Sequence, residues 1–336
     1  GGFAGVDVFF VISGYLMCSI IVTGLVRDDF SIWSFYLARA KRIFPALVVL
    51  CAVTLMIGWF LLMPREYQQL GRHARESLTF SSNLRYFHEA GYFDVASGEK
   101  WLLHTWSLSV EWQFYILLPL VLLLAWKFLP KRGVLIGTLV AIFACSLTWC
   151  LWRTPLAPNE AFYTIQARAW EMLAGGLVFM TGHQLRLGPG LRRCLELIGF
   201  ALIVTTFLQF DKHSLWPGWR ALLPVTGAAL VLLAACERSL WTGSGLAQWL
   251  GTRSYSIYLW HWPLVVVLSY LELSAEPLWL AAAVFLSLLL GHLSYVLVEE
   301  PSRRWLSAVS VRRGAIVLLG ILLVVAMAAQ QVRHKG

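Results

Sequence analysis

Charge is what this sequence has least of. Only 13% of its 336 residues are Asp, Glu, Lys or Arg, while 59% are hydrophobic. A soluble domain carries about 25% charged residues. With a mean hydropathy of +0.68, too little polar surface remains to clothe a water-soluble globule. Metal-binding cysteine patterns are also missing. The six cysteines form no C-x-x-C pair, lie in or beside apolar runs, and read as small buried hydrophobes. No glycine-rich phosphate loop, zinc-binding histidine helix or serine elbow occurs. The net charge of +9 does not point to nucleic acid, because the basic residues sit in short loops between apolar runs instead of on one face. No metal and no nucleic acid are expected.

What is present is hydrocarbon in helix-length runs. A bilayer core of about 30 Å takes about 20 helical residues, and ten segments qualify as candidates: 6–26, 43–63, 107–127, 133–152, 166–181, 194–209, 220–236, 254–272, 276–297 and 313–329. The expected fold is all-α, a polytopic helical bundle with about ten crossings. The 17 tryptophans suit membrane–water interfaces. Lys and Arg are biased toward alternate loops, sixteen against six in short segments. This places 27–42 in the cytoplasm and 64–106 outside, with Gly1 and the C-terminus also outside. Both ends read as cut, and one more span before Gly1 is expected. Within 64–106, Tyr67, Leu70, Ala74 and Leu78 predict a helix lying on the outer surface.

The ionisable residues at the ends of these runs are the candidates for chemistry. In "LLHTWSLSVEWQFYILLPL", His104 and Glu111 stand two helical turns apart and would share a face, continued by Tyr115. A carboxylate that orients a histidine makes a general base. Equally, His104 could face outer water while Glu111 bonds to a neighbouring helix. Asp7 opens the first span, as a cap, as a functional acid, or as both, since the two roles are compatible, and Gly14 on its face permits close helix approach. Arg39 and Arg42 share a face. They are either a bidentate phosphate site or ordinary cytoplasmic-end arginines. Arg168 and Glu171 read as a mutual pair, and His261 and His292 as core histidines. Pro263 is expected to kink or break its helix. Residue physics therefore ends at acid–base groups near the outer face and an arginine pair at the inner one.

Six stretches then occur in a familiar order: "GGFAGVDVFFVISGYL", "FYLARAKRIFPAL", "LLHTWSLSVEWQFYILLPL", "ARAWEMLAGG", "SYSIYLWHWPL" and "VEEPSRR". The chain resembles the acyltransferase-3 family, in its lipopolysaccharide O-antigen acetylase branch. The resemblance implies residues 1–304 as a transmembrane domain lacking its first span, with 305–336 as a last span and the start of an outer segment. It implies a multi-pass O-acyltransferase of the bacterial inner membrane. Acetyl-CoA would be the cytoplasmic donor, and a hydroxyl of an envelope glycan the acceptor. An extracytoplasmic hydrolase-like domain is often fused behind the final span. By position, Arg39 and Arg42 match the family's Arg-x-x-Arg, linked to acyl-CoA handling, and Glu111 matches the acid of its "WSLSVE". Where the family usually has a second acid, this chain has Trp112. The family's principal histidine lies in the span expected before Gly1. Glu111, His104 and Asp7 are the catalytic candidates here. A glycolipid flippase or a polysaccharide polymerase is the alternative, although no internal repeat of the transporter kind is evident.

Overall fold

The computed structural model describes residues 1–90, 99–182, 184–211, 213–236 and 239–335. Residues 91–98 of the outer loop, and Lys212 and Arg238 of the charge tally, lie outside the described residues. In chain order the helices are α1 (Gly5–Arg27), α2 (Ile32–Leu61), α3 (Pro64–Leu78), α4 (Ser82–Glu89), α5 (Thr105–Phe128), α6 (Arg132–Arg153) and α7 (Pro158–Tyr163). They continue with α8 (Ile165–Gly182), α9 (Pro189–Gln209), α10 (Leu222–Ala234), α11 (Gly245–Tyr270), α12 (Pro277–Ser294), α13 (Glu300–Ala308) and α14 (Val311–Lys335). A π-helical stretch, Tyr295–Glu299, joins α12 to α13. Among the described residues there is no strand, as expected where every backbone polar group must be satisfied within lipid.

Among the described residues, six segments are long and apolar enough to cross a bilayer: Gly2–Arg27, Ile32–Leu61, Thr105–Phe128, Arg132–Arg153, Pro277–Ala308 and Arg312–Arg333. The chain is a multi-pass membrane protein. The other four expected spans are helical too, as α8 to α11. Arg168 and Glu171 in α8, Arg192, Arg193 and Glu196 in α9, and Arg253 in α11 interrupt their hydrocarbon, and α10 is short. Pro263 does not end α11, which runs through it.

The chain divides into two compact units, Gly1–Ile32 with Val110–Ser244, and Trp33–Ser109 with Gly245–Gly336. In the first, α1 and α8 touch backbone to backbone. A Cβ on Gly14 would lie 1.7 Å from the Met172 carbonyl oxygen, and one on Gly175 would lie 1.8 Å from that of Val11. Only hydrogen fits at this crossing, which bears out the close approach expected at Gly14. Since the obstacle is backbone, Gly175→Ala must push the helices apart. Overpacking of this kind costs about 1–3 kcal/mol or more. The variant is expected to melt several degrees below the parent in a detergent thermal-shift assay, whereas Gly137→Ala, inside α6 where a Cβ meets nothing within 4 Å, should match or slightly exceed the parent.

In the second unit α2 has 30 residues, a length of about 45 Å. It therefore overshoots a bilayer core by roughly ten residues, and its first turns carry Arg39, Lys41 and Arg42. Past its far end, α3 is the amphipathic helix expected there, with Tyr67, Leu70, Ala74 and Leu78 all buried. The end of α14 packs on it: a Cβ on Gly71 would lie 2.8 Å from the Ala329 carbonyl oxygen, and Arg75 donates to Gln330 at 3.1 Å. At the end of α11, Tyr270 donates to Glu66 at 2.7 Å. The C-terminal ends of α2, α11 and α14 thus meet at α3. This is the end that the Lys and Arg distribution leads one to expect outside.

Candidate functional site

Five groupings of polar side chains stand out, each within one unit. The most deeply buried is in the first unit. Arg168 reaches Asp7 at 2.8 Å through one guanidinium nitrogen and Glu171 at 2.7 Å through the other, and all three side chains are at most 1% exposed. The rings of Phe10 and Phe162 lie 5.5 and 5.8 Å from the guanidinium, a cation–π setting. The helix-cap reading of Asp7 is therefore overturned, because its carboxylate turns inward to Arg168. Arg168 is likewise a core group. The expected Arg168–Glu171 pair is present, with Asp7 as its third member.

Elsewhere in the same unit, Glu111 accepts from Ser13 at 2.6 Å and from Tyr115, one turn along α5. The Ser13 and Tyr115 hydroxyls lie 2.7 Å apart. A carboxylate 2% exposed is thus held by two hydroxyls from two helices. That is the anchorage a proton acceptor needs to keep its position. Ser13, in "VISGY", was not anticipated.

His104 is placed in the second unit and not on the face of α5. The helix begins at Thr105, so His104 sits in the turn before it. Its ring packs against Tyr258, His261 and Trp262, with centroids 5.3, 5.8 and 6.4 Å away. Neither ring nitrogen has a hydrogen-bond partner of good geometry among the described residues, so the expected His104–Glu111 base is not assembled. Burial, with His261 adding to it, pushes the His104 imidazole well below the usual histidine value, which keeps the ring neutral. Tyr258 fixes the turn by donating to the His104 carbonyl at 2.6 Å, and its hydroxyl lies 2.7 Å from Ser107 Oγ. His261 Nδ1 donates to the Tyr258 carbonyl at 2.6 Å. In the neutral ring Nε2 then carries the lone pair. The sequence reading treated His261 as core, yet it lies half-buried beside His104. His292, also read as core, accepts from Arg253 Nε at 2.8 Å.

On α2, Arg39 is half-buried and Arg42 exposed. Arg42 lies within electrostatic reach of Glu299, which accepts from Ser256 at 2.8 Å. Glu299 was missed as a site residue, although "VEEPSRR" contains it. Its π-helical placement is a local feature common at functional sites.

Beside α3, Glu89 accepts from His73 at 3.0 Å and Arg85 at 2.6 Å, with Lys100 at 3.4 Å. Burial pushes its carboxyl up, but the His73 hydrogen bond and the charges of His73, Arg85 and Lys100 outweigh this and hold it at about 2. A carboxylate depressed below its unfolded value of about 4.3 contributes stability above that value and loses it as pH falls toward 2. The thermal midpoint of the parent is expected to fall more steeply between pH 4.5 and pH 2 than that of Glu89→Gln. A buried hydroxyl chain lies alongside: Ser77 to Thr105 at 2.7 Å, Thr105 to Ser82 at 3.1 Å and Ser82 to Ser109 at 2.8 Å.

These buried ionisable groups on crossing helices define a membrane protein built for chemistry or transport. Comparison with known proteins decides the family. A family profile described as an acyltransferase domain matches residues 1–298, and the chain belongs to the acyltransferase-3 family. It is 31% identical over 324 residues to YrhL of Bacillus subtilis (strain 168), provisionally named a peptidoglycan O-acetyltransferase, a match covering 90% of this chain and 51% of that protein. To BcsY of Komagataeibacter xylinus, provisionally named a membrane-bound transacylase, it is 32% identical over 343 residues, 99% of this chain and 86% of that one. To the peptidoglycan O-acetyltransferase OatA of Listeria monocytogenes serovar 1/2a (strain ATCC BAA-679 / EGD-e) it is 28% identical over 323 residues, 90% and 52% of the two. The chain spans about half the length of YrhL and OatA. No solved structure matches it.

Proposed function

We propose that this chain is the membrane part of an O-acetyltransferase that modifies a cell-envelope glycan, taking acetyl from acetyl-CoA on the cytoplasmic side of the inner membrane. The observation that carries the reading is the buried Glu111, held by Ser13 and Tyr115, in a chain matched by an acyltransferase profile. Peptidoglycan stands ahead of lipopolysaccharide O-antigen as acceptor, because OatA and YrhL are named for peptidoglycan. All ten helical segments are read as crossing or entering the bilayer, with the polar ones shielded inside.

In the proposed reaction an acceptor hydroxyl oxygen attacks the carbonyl carbon of the acetyl thioester. The C–S bond breaks, the coenzyme leaves as thiolate, and the hydroxyl proton passes through a base to that sulfur. Glu111 receives or relays the proton, and Ser13 and Tyr115 hold one of its oxygens in place, both donating to Oε1. His104 and His261 offer ring nitrogens in the outer half of the second unit. Asp7 serves the site by locking α1 to α8 through Arg168. Arg39 and Arg42 hold the phosphates of the coenzyme with charge-assisted hydrogen bonds.

Such contacts are worth about 1.5–3 kcal/mol each, so Arg39→Ala/Arg42→Ala is expected to lower coenzyme-dependent transfer at least about 10-fold. Its thermal midpoint should stay near the parent's, because neither side chain is fully buried. Full transfer at limiting acetyl-CoA in that variant would remove the arginines from the donor site.

A further inference from the structure

The outer end of the second unit contains a cavity that the mechanism above does not use. It has a volume of about 120 Å³ and opens beside α3, lined by Arg65, Glu66, Gln69, Lys100, Trp101 and Tyr270 among others. Its walls are unevenly satisfied. Trp101 is 6% exposed, yet its indole N–H has no partner among the described residues. A buried tryptophan N–H ordinarily finds one. Arg65 and Gln69, one turn apart on α3, are exposed there. Glu66 is oriented from two sides, accepting from Tyr270 at 2.7 Å and from the Met63 backbone at 3.1 Å.

We propose that this cavity is a saccharide-binding subsite, which holds one sugar ring of the acceptor with Trp101 as hydrogen-bond donor and aromatic wall. The argument rests on the glycan acceptor proposed above. A sugar ring needs an aromatic surface for its C–H face and a mixed fence of donors and acceptors for its hydroxyls. Trp101 and Tyr270 supply the first. Arg65, Gln69 and the indole N–H supply donors, and the held Glu66 carboxylate supplies acceptors. The charge balance argues against a phosphate or an anionic lipid headgroup. Lys100 is already engaged by Glu89 at 3.4 Å, and Glu66 and Glu99 face the same space as Arg65. The volume is well below the roughly 300–1,000 Å³ of full ligand pockets. It suits the edge of one ring at the end of a chain, with the rest of that ring and of the glycan outside.

The test is saturation-transfer NMR on the full-length protein in detergent, with a tetramer of β-1,4-linked N-acetylglucosamine as probe. The sugar protons of one ring are expected to receive saturation from the parent. Trp101→Phe keeps the ring and loses the N–H, so the signal should weaken. Arg65→Ala combined with Gln69→Ala should abolish it, at unchanged thermal midpoint. In transfer assays Trp101→Phe is expected to raise KM for the acceptor about 10-fold, the worth of one hydrogen bond, with kcat kept. Equal sugar signals from the parent and all variants, no sugar signal from folded parent, or loss of the sugar signal on adding an equal concentration of inorganic phosphate would each overturn the proposal. Sugar binding lost in these variants without any acetyl transfer in the parent would retain the subsite and reject the acyltransferase reading. Acetyl transfer with an unchanged acceptor KM in the variants would do the reverse.

Discussion

Replacing Arg168 with methionine is expected to destabilise the protein by on the order of 3–5 kcal/mol, the usual cost of removing one partner from a buried ion pair. The guanidinium is enclosed, and it faces two carboxylates that are fully buried. Without it, Asp7 and Glu171 confront one another with no cation between them. The same substitution detaches α1 from α8 at a second level, beside the Gly14 and Gly175 crossing. The measurement is the thermal midpoint in detergent, read with the yield of monodisperse protein. A triple variant, Asp7→Asn, Arg168→Met and Glu171→Leu, should regain much of the loss, because it leaves no uncompensated charge. An Arg168→Met protein as stable as the parent would show that the triad does not hold this unit together.

Glu111→Gln is expected to cut acetyl transfer by about 10²- to 10⁴-fold, the range associated with general acid–base groups, while folding persists. The amide matches the carboxyl in shape and still offers an oxygen to Ser13 and Tyr115, so packing is preserved and proton uptake is lost. Tyr115→Phe should cost less, since Ser13 still anchors the carboxylate at 2.6 Å. The readout is turnover at saturating donor together with an unchanged thermal midpoint. Turnover within a factor of about two of the parent would remove Glu111 from the proton path.

Much of the fold was legible because hydrophobic runs of helix length have few other meanings. The amphipathic α3 was legible from four spaced residues, and a close helix approach to α1 from a single glycine, Gly14, though not that α8 makes it. What was not legible was partnership across distance. Asp7 near a helix start looks like a cap, and nothing local reveals that Arg168, far along the chain, takes it inward. His104 was assigned to a helix face by a seven-residue spacing, and a helix that starts one residue later moves it into a turn against α11. The chain of Ser77, Thr105, Ser82 and Ser109 leaves no sequence signal, because serines and threonines are unremarkable one by one. His292 was read as core for want of a visible partner, and Arg253 supplies one. The count of crossings was legible only in part: among the described residues six of the ten expected segments are long and apolar enough to cross a bilayer, and charged residues break the apolar runs of α8, α9 and α11.

The measurement that tests the account most directly is acetyl transfer in inverted membrane vesicles from cells producing the protein. Labelled acetyl-CoA is supplied on the exposed cytoplasmic face, and envelope glycan is isolated afterwards. Base-labile label in the glycan, dependent on the coenzyme and lost in Glu111→Gln and in Arg39→Ala/Arg42→Ala, is the predicted result. Folded protein in sealed vesicles that transfers no label to peptidoglycan or to any other envelope glycan supplied would contradict the central claim, and would favour a carrier of glycolipids over an acyltransferase.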